Sequence, residues 1–373
     1  MNLATSVLLT LVAGSLVYCV LVIIACWRYL RQGRPQSMAP MGISILKPLN
    51  GLDEGLEQNL ETFFVQDYER FEILFAVRDD ADPACAVIER LRARHPNVAA
   101  RLIVTGEPPY ANAKVFSLSH MVEAAEYDLL VMSDSDIRVD RAMLRAVAAE
   151  FADPNVGLAT CPYRAIAGSS VWSQLEAVGM NTEFFGGVLT ARMLEGMRFA
   201  VGPTIVARKQ VLRDISAFDI VKDYLAEDFV MGRRAAERDI GVILSSYVVE
   251  HRIGSERLGS NFAHRLRWTR STRRSRPAGY VGQIFTYTLP LALLLTIAAP
   301  VWWPLLIPTV MLRAAAAYAV AGPVLHAGTQ WHLLIVQDLL SFGFWIAGFF
   351  GNTIRWRGRD YELLRDGRFV LKR

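Results

Sequence analysis

The sequence predicts an α/β domain that lies, along the chain, between two membrane-embedded regions. The 373 residues are 53% hydrophobic and 20% charged, whereas soluble domains average about 45–50% apolar and about 25% charged residues. The apolar excess is concentrated before residue 28 and after residue 282, and short β-rich runs alternate with helical stretches in between. This composition excludes a disordered chain, a coiled coil and a small disulfide scaffold. The charged share is also too large for a bundle of membrane spans alone.

The first hydrophobic segment, residues 6–27, carries no charge and is long enough to cross about 30 Å of hydrocarbon. Arg28, Arg31 and Arg34 follow it, while the residues before it include no Lys or Arg. Because positive charge favours the cytoplasmic side, this pattern predicts an uncleaved anchor over 1–34 whose far end is cytoplasmic. The alternative is a cleaved signal, since a lipoprotein-type cleavage box stands near the end of the segment.

Between residues 41 and 276 the pattern is that of an α/β domain. Strands are expected at 42–49, 71–77, 101–105, 127–136 and 156–160, and helices at 53–65, 83–94, 112–125 and 140–151. Such alternation favours a mostly parallel sheet covered on both faces. Ligands bind these sheets beyond the carboxyl ends of the strands. Acidic residues at strand ends are therefore candidate site residues.

The chain becomes apolar again over 282–350. The candidate spans there are 284–303, 304–322 and 333–350, and the tail that follows, 351–373, is basic through Arg355, Arg357 and Arg359. A cytoplasmic tail after a cytoplasmic domain requires an even number of crossings, yet three runs are present. The middle run contains Pro304, Pro308 and Arg313. Two alternatives stay open: this run lies re-entrant or at the interface, or the charge rule fails.

Asp134 and Asp136 follow the apolar run LLVM directly. Alternate residues of a strand point to opposite faces, so a turn is needed before both carboxylates can serve one site. Two hard oxygen ligands beside open coordination positions suit Mg²⁺ or Mn²⁺ held jointly with a diphosphate. The alternative is an Asp that caps the next helix.

Asp79 follows the expected strand at 71–77 and is a candidate to hydrogen-bond the base or ribose of a nucleotide. Asp82, which precedes Pro83, is better explained as the cap of the next helix. Asp80 is interpreted as a surface neighbour.

Lys114 opens the expected helix at 112–125. A lysine at a helix N-terminus opposes the helix dipole unless it meets a ligand anion. It is therefore a candidate for nucleotide-sugar binding, with a solvated lysine as the alternative.

Glu227 and Asp228 stand together in an otherwise apolar stretch, YLAEDFVMG. A carboxylate partly shielded from water is suited to act as a general base near neutral pH. Alternatively, the pair starts a helix, where acidic residues are favourable.

His264, Arg267 and Trp268 lie in a basic run that contains eight Arg between residues 252 and 276. Arg clusters bind phosphate, but this run also precedes a membrane segment, so anionic lipid headgroups are the alternative partner. Both are expected, with Arg267 and Trp268 in the site and the later arginines at the lipid. A nucleic-acid partner is not expected, because no nucleic-acid motif accompanies the run.

Taken in order, these motifs resemble the ceramide glucosyltransferase-like family of membrane glycosyltransferases with a GT-A domain, a Rossmann-like fold. The resemblance covers most of the chain and is carried by ILKPLNG (45–51), FFVQDY (63–68), DDADPA (79–84), PNVAARL (96–102), NAK (112–114), DSDIRV (134–139), LAEDF (225–229), RWTR (267–270) and WRGRDY (356–361).

The resemblance implies that Asp79 binds the nucleotide and that Asp134, completed by Asp136, lies at the metal and diphosphate. It further implies that Asp228 is the catalytic base. Arg267 and Trp268 correspond to the RW of a (Q/R)xxRW motif near the diphosphate and acceptor. His264 replaces the first residue of that motif, which puts its contact in doubt, and Glu227 is expected in the same vicinity.

The implied reaction is transfer of a sugar from a UDP-sugar to a membrane-lipid hydroxyl with inversion and with Mg²⁺ or Mn²⁺ bound, most simply from UDP-glucose to ceramide. The open alternatives are transfer of N-acetylglucosamine to a hopanoid lipid, a processive polysaccharide synthase and a non-catalytic nucleotide-sugar-binding protein. The expected location is a multi-pass membrane protein with a cytoplasmic catalytic domain, in the inner membrane if bacterial.

Overall fold

The computed structural model describes residues 2–33, 41–356 and 359–372. Arg34 and Arg357, two of the flanking basic residues noted above, lie outside these described residues. Within them, the strands are β1 (Ile43–Pro48), β2 (Phe71–Val77), β3 (Ala99–Val104), β4 (Leu129–Ser133), β5 (Ile137–Arg138), β6 (Val156–Thr160), β7 (Tyr163–Ala167), β8 (Thr204–Arg208), β9 (Gly241–Leu244), β10 (Val249–Gly254), β11 (Thr353–Trp356), β12 (Arg359–Leu363) and β13 (Phe369–Leu371).

The α-helices are α1 (Leu3–Leu30), α2 (Leu56–Phe64), α3 (Ala84–Arg94), α4 (Ala113–Ala124), α5 (Met143–Glu150), α6 (Val171–Gly179), α7 (Phe185–Glu195), α8 (Lys209–Asp214), α9 (Ala217–Val221), α10 (Glu227–Glu237), α11 (Leu258–Ser275), α12 (Pro277–Gly282), α13 (Thr288–Ala298), α14 (Leu306–Ala319) and α15 (Trp331–Gly348). Short π-helical turns, Met180–Phe184 and Val320–Val324, join α6 to α7 and extend α14, and 3₁₀ turns, Gln283–Thr286 and Pro300–Leu305, precede α13 and α14.

The central sheet confirms the expected α/β class. Its strand order is β3-β2-β1-β4-β8-β6-β9. The pairs β1–β2, β2–β3, β1–β4 and β6–β9 are parallel, whereas β8 runs antiparallel to both β4 and β6. The order reverses between β1 and β4, which is the place where open α/β sheets form a ligand crevice at their carboxyl ends.

Alternation along β1 explains how both faces of the sheet are covered. Ile43 and Ile45 belong to the core that includes α2 and α3, while Leu46 belongs to the core that includes α4 and α10. Successive side chains of a strand point to opposite faces, so the apolar run fills two cores at once. Lys47, next in the run, returns to the α2 face, where its Nζ lies 3.9 Å from the centre of the Phe63 ring.

Three helices are apolar and long enough to cross a membrane within the described ranges: Leu3–Leu30, Pro300–Val324 and Trp331–Gly348. The expected span at 284–303 is instead a broken pair, because Pro277–Thr286 and Thr288–Ala298 meet at 64°. If this pair crosses as one unit, four spans result. The multi-pass expectation is thus supported by length and composition.

The expected span at 304–322 lies inside the helix Pro300–Val324, which is long and apolar enough to cross a membrane, whereas the bent pair precedes it. Pro308 is the third residue of α14, where a backbone N–H has no partner within that helix to lose, and Pro304 lies inside the 3₁₀ turn that precedes it. Arg313 is paired with Asp338 of α15 through two contacts of 2.7 and 2.8 Å, and both side chains are at least 94% buried. A bidentate pair of this kind neutralises a charge that lipid would not accommodate.

Two segments connect the sheet domain to the apolar helices. The continuous stretch from α6 through α7 belongs to the expected 41–276 domain, yet α6 packs on α15 and α7 packs on α1. The expected basic tail contains the antiparallel sheet β11-β12-β13, which packs against Ala111 and Leu225 of the domain. The last strands of the chain therefore return to the carboxyl-end face of the central sheet.

Candidate active site

The turn after β4 brings both carboxylates of the DSD motif to the crevice. The strand ends at Ser133, and the N–H of Asp134 then donates to the carbonyl of Pro203, 2.9 Å away. The chain becomes extended again only at Ile137 in β5. The turn that two carboxylates need in order to serve one site is therefore present.

Lys114 joins this turn to the Glu227–Asp228 segment. Its Nζ lies 2.7 Å from Oδ1 of Asp134 and 2.9 Å from Oε1 of Glu227. Burial disfavours a charged lysine, but the two carboxylates outweigh it and raise the pKa of Lys114 above its usual value. A permanent positive charge thus stands between the two acidic motifs, at the start of α4 where the dipole also favours an anion.

Asp136 is held from the opposite side by His251 of β10. The distance from His251 Nε2 to Asp136 Oδ2 is 3.1 Å. Burial acts to raise the pKa of Asp136, but the neighbouring His251 outweighs it and holds that pKa below its usual value. The other oxygen, Oδ1, is buried and has no hydrogen-bond partner among the described residues. Such an orphaned carboxylate oxygen, beside Asp134, fits a hard divalent cation.

Lys47 is a site residue that the sequence analysis missed. Its side chain is fully buried, and Nζ donates to the carbonyl of Asp134 at 2.5 Å and to Oγ of Ser133 at 3.3 Å. Burial lowers the pKa of Lys47 to about 7, against the charges of Asp134 and Asp136. The available signal was a single lysine inside the apolar run GISILKPL, since lysine is almost never fully buried without a partner.

Asp228 occupies the first turn of α10, close to the residues that precede β8. Its Oδ2 accepts a hydrogen bond from the N–H of Gly202. A Cβ at Gly202 would lie 3.0 Å from the same oxygen, so glycine permits this close approach. Burial first, and then the charge of Glu227, raises the pKa of Asp228 to about 7. A carboxylate with that pKa can take up a proton near neutral pH.

Asp79 lies apart from this cluster, exposed at the end of β2. Its Oδ1 accepts from the N–H of Ala81 at 2.8 Å, and that bond lowers the pKa of Asp79. Asp82 has the local role expected of it, because it accepts from the N–H of Ala84 at the start of α3. It also accepts from the N–H of Gly51, which has φ +72°, and so it fixes the turn after β1.

The HxxRW segment lies on α11, which packs against α6 and α15. His264, which replaces the Gln or Arg of the motif, has its Nδ1 2.8 Å from Oε1 of Glu176 in α6. Arg267 is half-buried and lies near Glu256, where its charge opposes the rise that burial causes in the pKa of that carboxyl.

A series of contacting aromatic rings connects Trp268 to His251, which contacts Asp136. The ring centre of Trp268 lies 5.9 Å from that of Phe184, which lies 5.9 Å from Tyr163, and Tyr163 lies 5.3 Å from His251. His251 in turn contacts Asp136. These aromatic rings form the side of the site that faces the apolar helices.

The later arginines of α11 have partners that the sequence analysis did not predict. Arg270 donates to the carbonyls of Phe350 at 3.1 Å and Thr353 at 2.6 Å, and Arg273 donates to the carbonyl of Gly351 at 2.9 Å. These carbonyls all follow Gly348, the last residue of α15. The two guanidinium groups therefore hold the segment that leads from α15 into β11.

The arrangement can now be compared with known proteins. The family model described as glycosyl transferase family 21 matches residues 7–369. The chain belongs to this family. The family match confirms the resemblance that the ordered motifs predicted, and it extends across the sheet domain and both apolar regions.

Ceramide glucosyltransferase 1 of Caenorhabditis elegans is 28% identical over 255 residues, which cover 68% of this chain and 54% of that protein. The ceramide glucosyltransferase of Komagataella phaffii (strain GS115) is 35% identical over 113 residues, 29% of this chain and 22% of that protein. The chain thus spans about half the length of the first of these relatives. A mannosyltransferase from Pyrobaculum calidifontis, solved with GDP-Man and Mn²⁺, superimposes with a TM-score of 0.55 at 17% identity, covering 93% of this chain and 98% of that one. At that identity the likeness shows the fold alone, which is GT-A.

Proposed function

We propose that the chain transfers glucose from UDP-glucose to the primary hydroxyl of ceramide, with inversion at the anomeric carbon. The observation that carries this proposal is the position of Asp228. Its carboxylate is half-buried near the cluster of Lys114, Asp134 and Asp136, on a domain whose helices pack against membrane-type helices. The curated relatives named as ceramide glucosyltransferases support the choice of donor and acceptor.

In the proposed step, Asp228 accepts the proton of the lipid hydroxyl while the hydroxyl oxygen forms a bond to the anomeric carbon. The bond from that carbon to the phosphate oxygen of UDP breaks, and the electron pair leaves with UDP. One displacement from the face opposite the leaving group inverts the configuration, so an α-linked donor yields a β-glycoside. Holding both substrates in line supplies much of the rate enhancement.

Lys114 lies where a diphosphate would meet positive charge at a helix N-terminus. Asp134 and Asp136 would hold Mg²⁺ or Mn²⁺, and the bound ion would offset the charge that develops on the leaving diphosphate. The orphaned Oδ1 of Asp136 supports this assignment. The Pyrobaculum mannosyltransferase was solved with Mn²⁺ and a nucleotide sugar, which is consistent with it.

The acceptor would reach Asp228 from the bilayer along the aromatic side of the site. Tyr163 is 2% exposed, and burial, followed by the charges of Asp228 and Glu176, raises its pKa well above the usual value. Tyr163 belongs to β7, which packs on α6, and α6 packs on α15. We place the catalytic domain in the cytoplasm, as the arginines after α1 predict.

The proposal is tested with the purified full-length chain in lipid nanodiscs, supplied with UDP-glucose, ceramide and Mn²⁺ or Mg²⁺. Mass spectrometry of the extracted lipid should show glucosylceramide, and a β-specific glucosidase should release the sugar. Asp228→Asn should abolish product, whereas Asp239→Asn, a matched change at an exposed site with φ +58° that Asn tolerates, should not. A hopanoid with UDP-N-acetylglucosamine is assayed in parallel. Product only in that reaction would overturn the donor and acceptor proposed here.

A further inference from the structure

A cavity of about 410 Å³ opens beside the first turn of α4, outside the acidic cluster. One wall comes from the domain: Asn50 after β1, Arg78 after β2, and the loop that leads to Ala113. The opposite wall comes from the C-terminal sheet and includes Trp356 and Tyr361. Residues more than 240 positions apart along the chain therefore enclose one space.

The position of the cavity indicates a nucleotide-type ligand. It lies at the carboxyl ends of β1 and β2, next to the point where the strand order reverses. Ala113, which lines it, directly precedes Lys114, and Lys114 contacts Asp134. A diphosphate held by Lys114 would leave the rest of a nucleotide at the mouth of this cavity.

The lining matches a planar heterocycle attached to a sugar. Trp356 is partly buried and packs on the buried rings of Tyr361 and Phe369, with ring centres 5.0 to 6.2 Å apart, so its ring is held in place at the cavity wall. Polar groups of Asn50 and Arg78 stand on the other wall. An apolar face combined with a few polar groups, in a volume between about 300 and 1,000 Å³, is typical of cofactor-sized ligands.

We propose that the C-terminal sheet completes the site for the donor nucleoside in this cavity, with the ring of Trp356 against the nucleobase. This inference rests on the proposed function, since it assumes a sugar nucleotide as donor. It assigns a binding role to the segment after α15, for which the sequence predicted only a basic tail.

The C-terminal sheet also supports the segment that leads to Asp228, the proposed catalytic base. The N–H of Phe369 donates to the carbonyl of Asp223 at 2.8 Å, and Leu225 packs on the sheet core. Asn112, whose Oδ1 caps α4 before Lys114, donates from Nδ2 to the carbonyl of Tyr224 at 2.9 Å. The wall of the cavity and the approach to Asp228 are thus parts of one packed unit.

The test measures UDP binding to the full chain in nanodiscs by calorimetry, with Mn²⁺ present and no lipid acceptor. Trp356→Ala should weaken UDP binding between about fivefold and about 150-fold, the range for loss of one base–aromatic contact. Trp356→Phe, which keeps a ring, should lose less. Glu362→Ala, an exposed change on the same sheet, should leave the UDP dissociation constant unchanged. Binding of inorganic pyrophosphate should be equal in all three variants, because pyrophosphate has no nucleobase to contact Trp356.

Unchanged UDP affinity in Trp356→Ala, or an equal loss for UDP and pyrophosphate, would overturn the inference. If Trp356→Ala does not fold, the wild-type chain is photolabelled with 5-azido-UDP. Label is then expected in peptides from 108–113 or 353–371, and label confined to other peptides would contradict the cavity assignment. The UDP-binding results do not depend on the lipid acceptor. If the chain fails to glucosylate ceramide but its UDP binding depends on Trp356, the proposed function is rejected and this inference stands.

Discussion

Replacing Asp228 by Asn separates the chemical role of this carboxylate from its cost to stability. Asn keeps an oxygen that can accept from the N–H of Gly202, so the local hydrogen bond survives. It cannot accept the proton of an attacking hydroxyl. Loss of a general base lowers rates by about 10²- to 10⁴-fold, and we expect kcat to fall by at least about 100-fold with little change in UDP affinity.

The same substitution should stabilise the fold above neutral pH. The pKa of Asp228 rises from 3.8 to about 7 on folding, so the native state holds its proton more tightly than the unfolded state. Wild-type stability therefore falls as pH rises from about 4 to about 7, and above that the full cost of the buried charge is present. Roughly three pKa units at about 1.4 kcal/mol each give an upper bound of about 4 kcal/mol.

The two effects are read from separate assays on the same preparations. Thermal unfolding is measured in EDTA at intervals from pH 5 to pH 8. The unfolding temperature of Asp228→Asn should rise relative to that of the wild type as pH rises, while that of Asp239→Asn should follow the wild type. In the transfer assay, wild-type log kcat should rise with pH and level off at or below about 7, since a bound divalent cation lowers the midpoint. An Asn variant that is less stable at pH 8, with a difference independent of pH, would refute the reasoning.

Three further outcomes are expected. Lys114→Met removes a charge that lowers the pKa of Asp228, so the midpoint of the pH–kcat profile should move up and UDP binding should weaken by about tenfold or more; a downward shift would contradict this. Arg313→Met leaves Asp338 as an uncompensated buried charge and should cost about 3–5 kcal/mol in thermal unfolding. The double variant with Asp338→Leu should recover most of that loss, and a double variant no more stable than the single one would count against the pair. EDTA should abolish transfer and Mn²⁺ or Mg²⁺ should restore it. Asp136→Asn should then raise the metal concentration for half-maximal activity by about tenfold or more, and an unchanged value would exclude Asp136 as a ligand.

Much of the acidic cluster was predictable because each member stands at a local landmark. Asp134 ends an apolar strand, Lys114 opens a helix, and Asp228 stands in a helical first turn. Parallel strands and the helices between them bring such landmarks to one edge of the sheet. The class of fold accounts for the 2.7 Å contact between Lys114 and Asp134, although the sequence analysis expected a ligand anion beside Lys114 and did not predict this carboxylate.

The partners that arrive from remote strands were not predictable in this way. Lys47 lies in a run that reads as an ordinary buried strand, and only the fold places its ammonium under the carbonyl of Asp134. His251 and Tyr163 carry no local signal. His251 reaches Asp136 because β10 pairs with β5, and Tyr163 lies beside His251 because β10 also pairs with β7. In the sequence Arg313 interrupts an apolar run, and only the structure shows that Asp338 of α15 pairs with it.

The sequence by itself determined the local features: an α/β domain with acidic residues at strand ends, a charge-free hydrophobic segment near the N-terminus and an apolar C-terminal region. These depend on neighbours along the chain, so local patterns report them. Only the tertiary structure decided which helix is broken, which cations meet which carboxylates, and that the C-terminal sheet with Trp356 closes a cavity beside Ala113. Those outcomes depend on packing between residues hundreds of positions apart, for which no spacing rule exists.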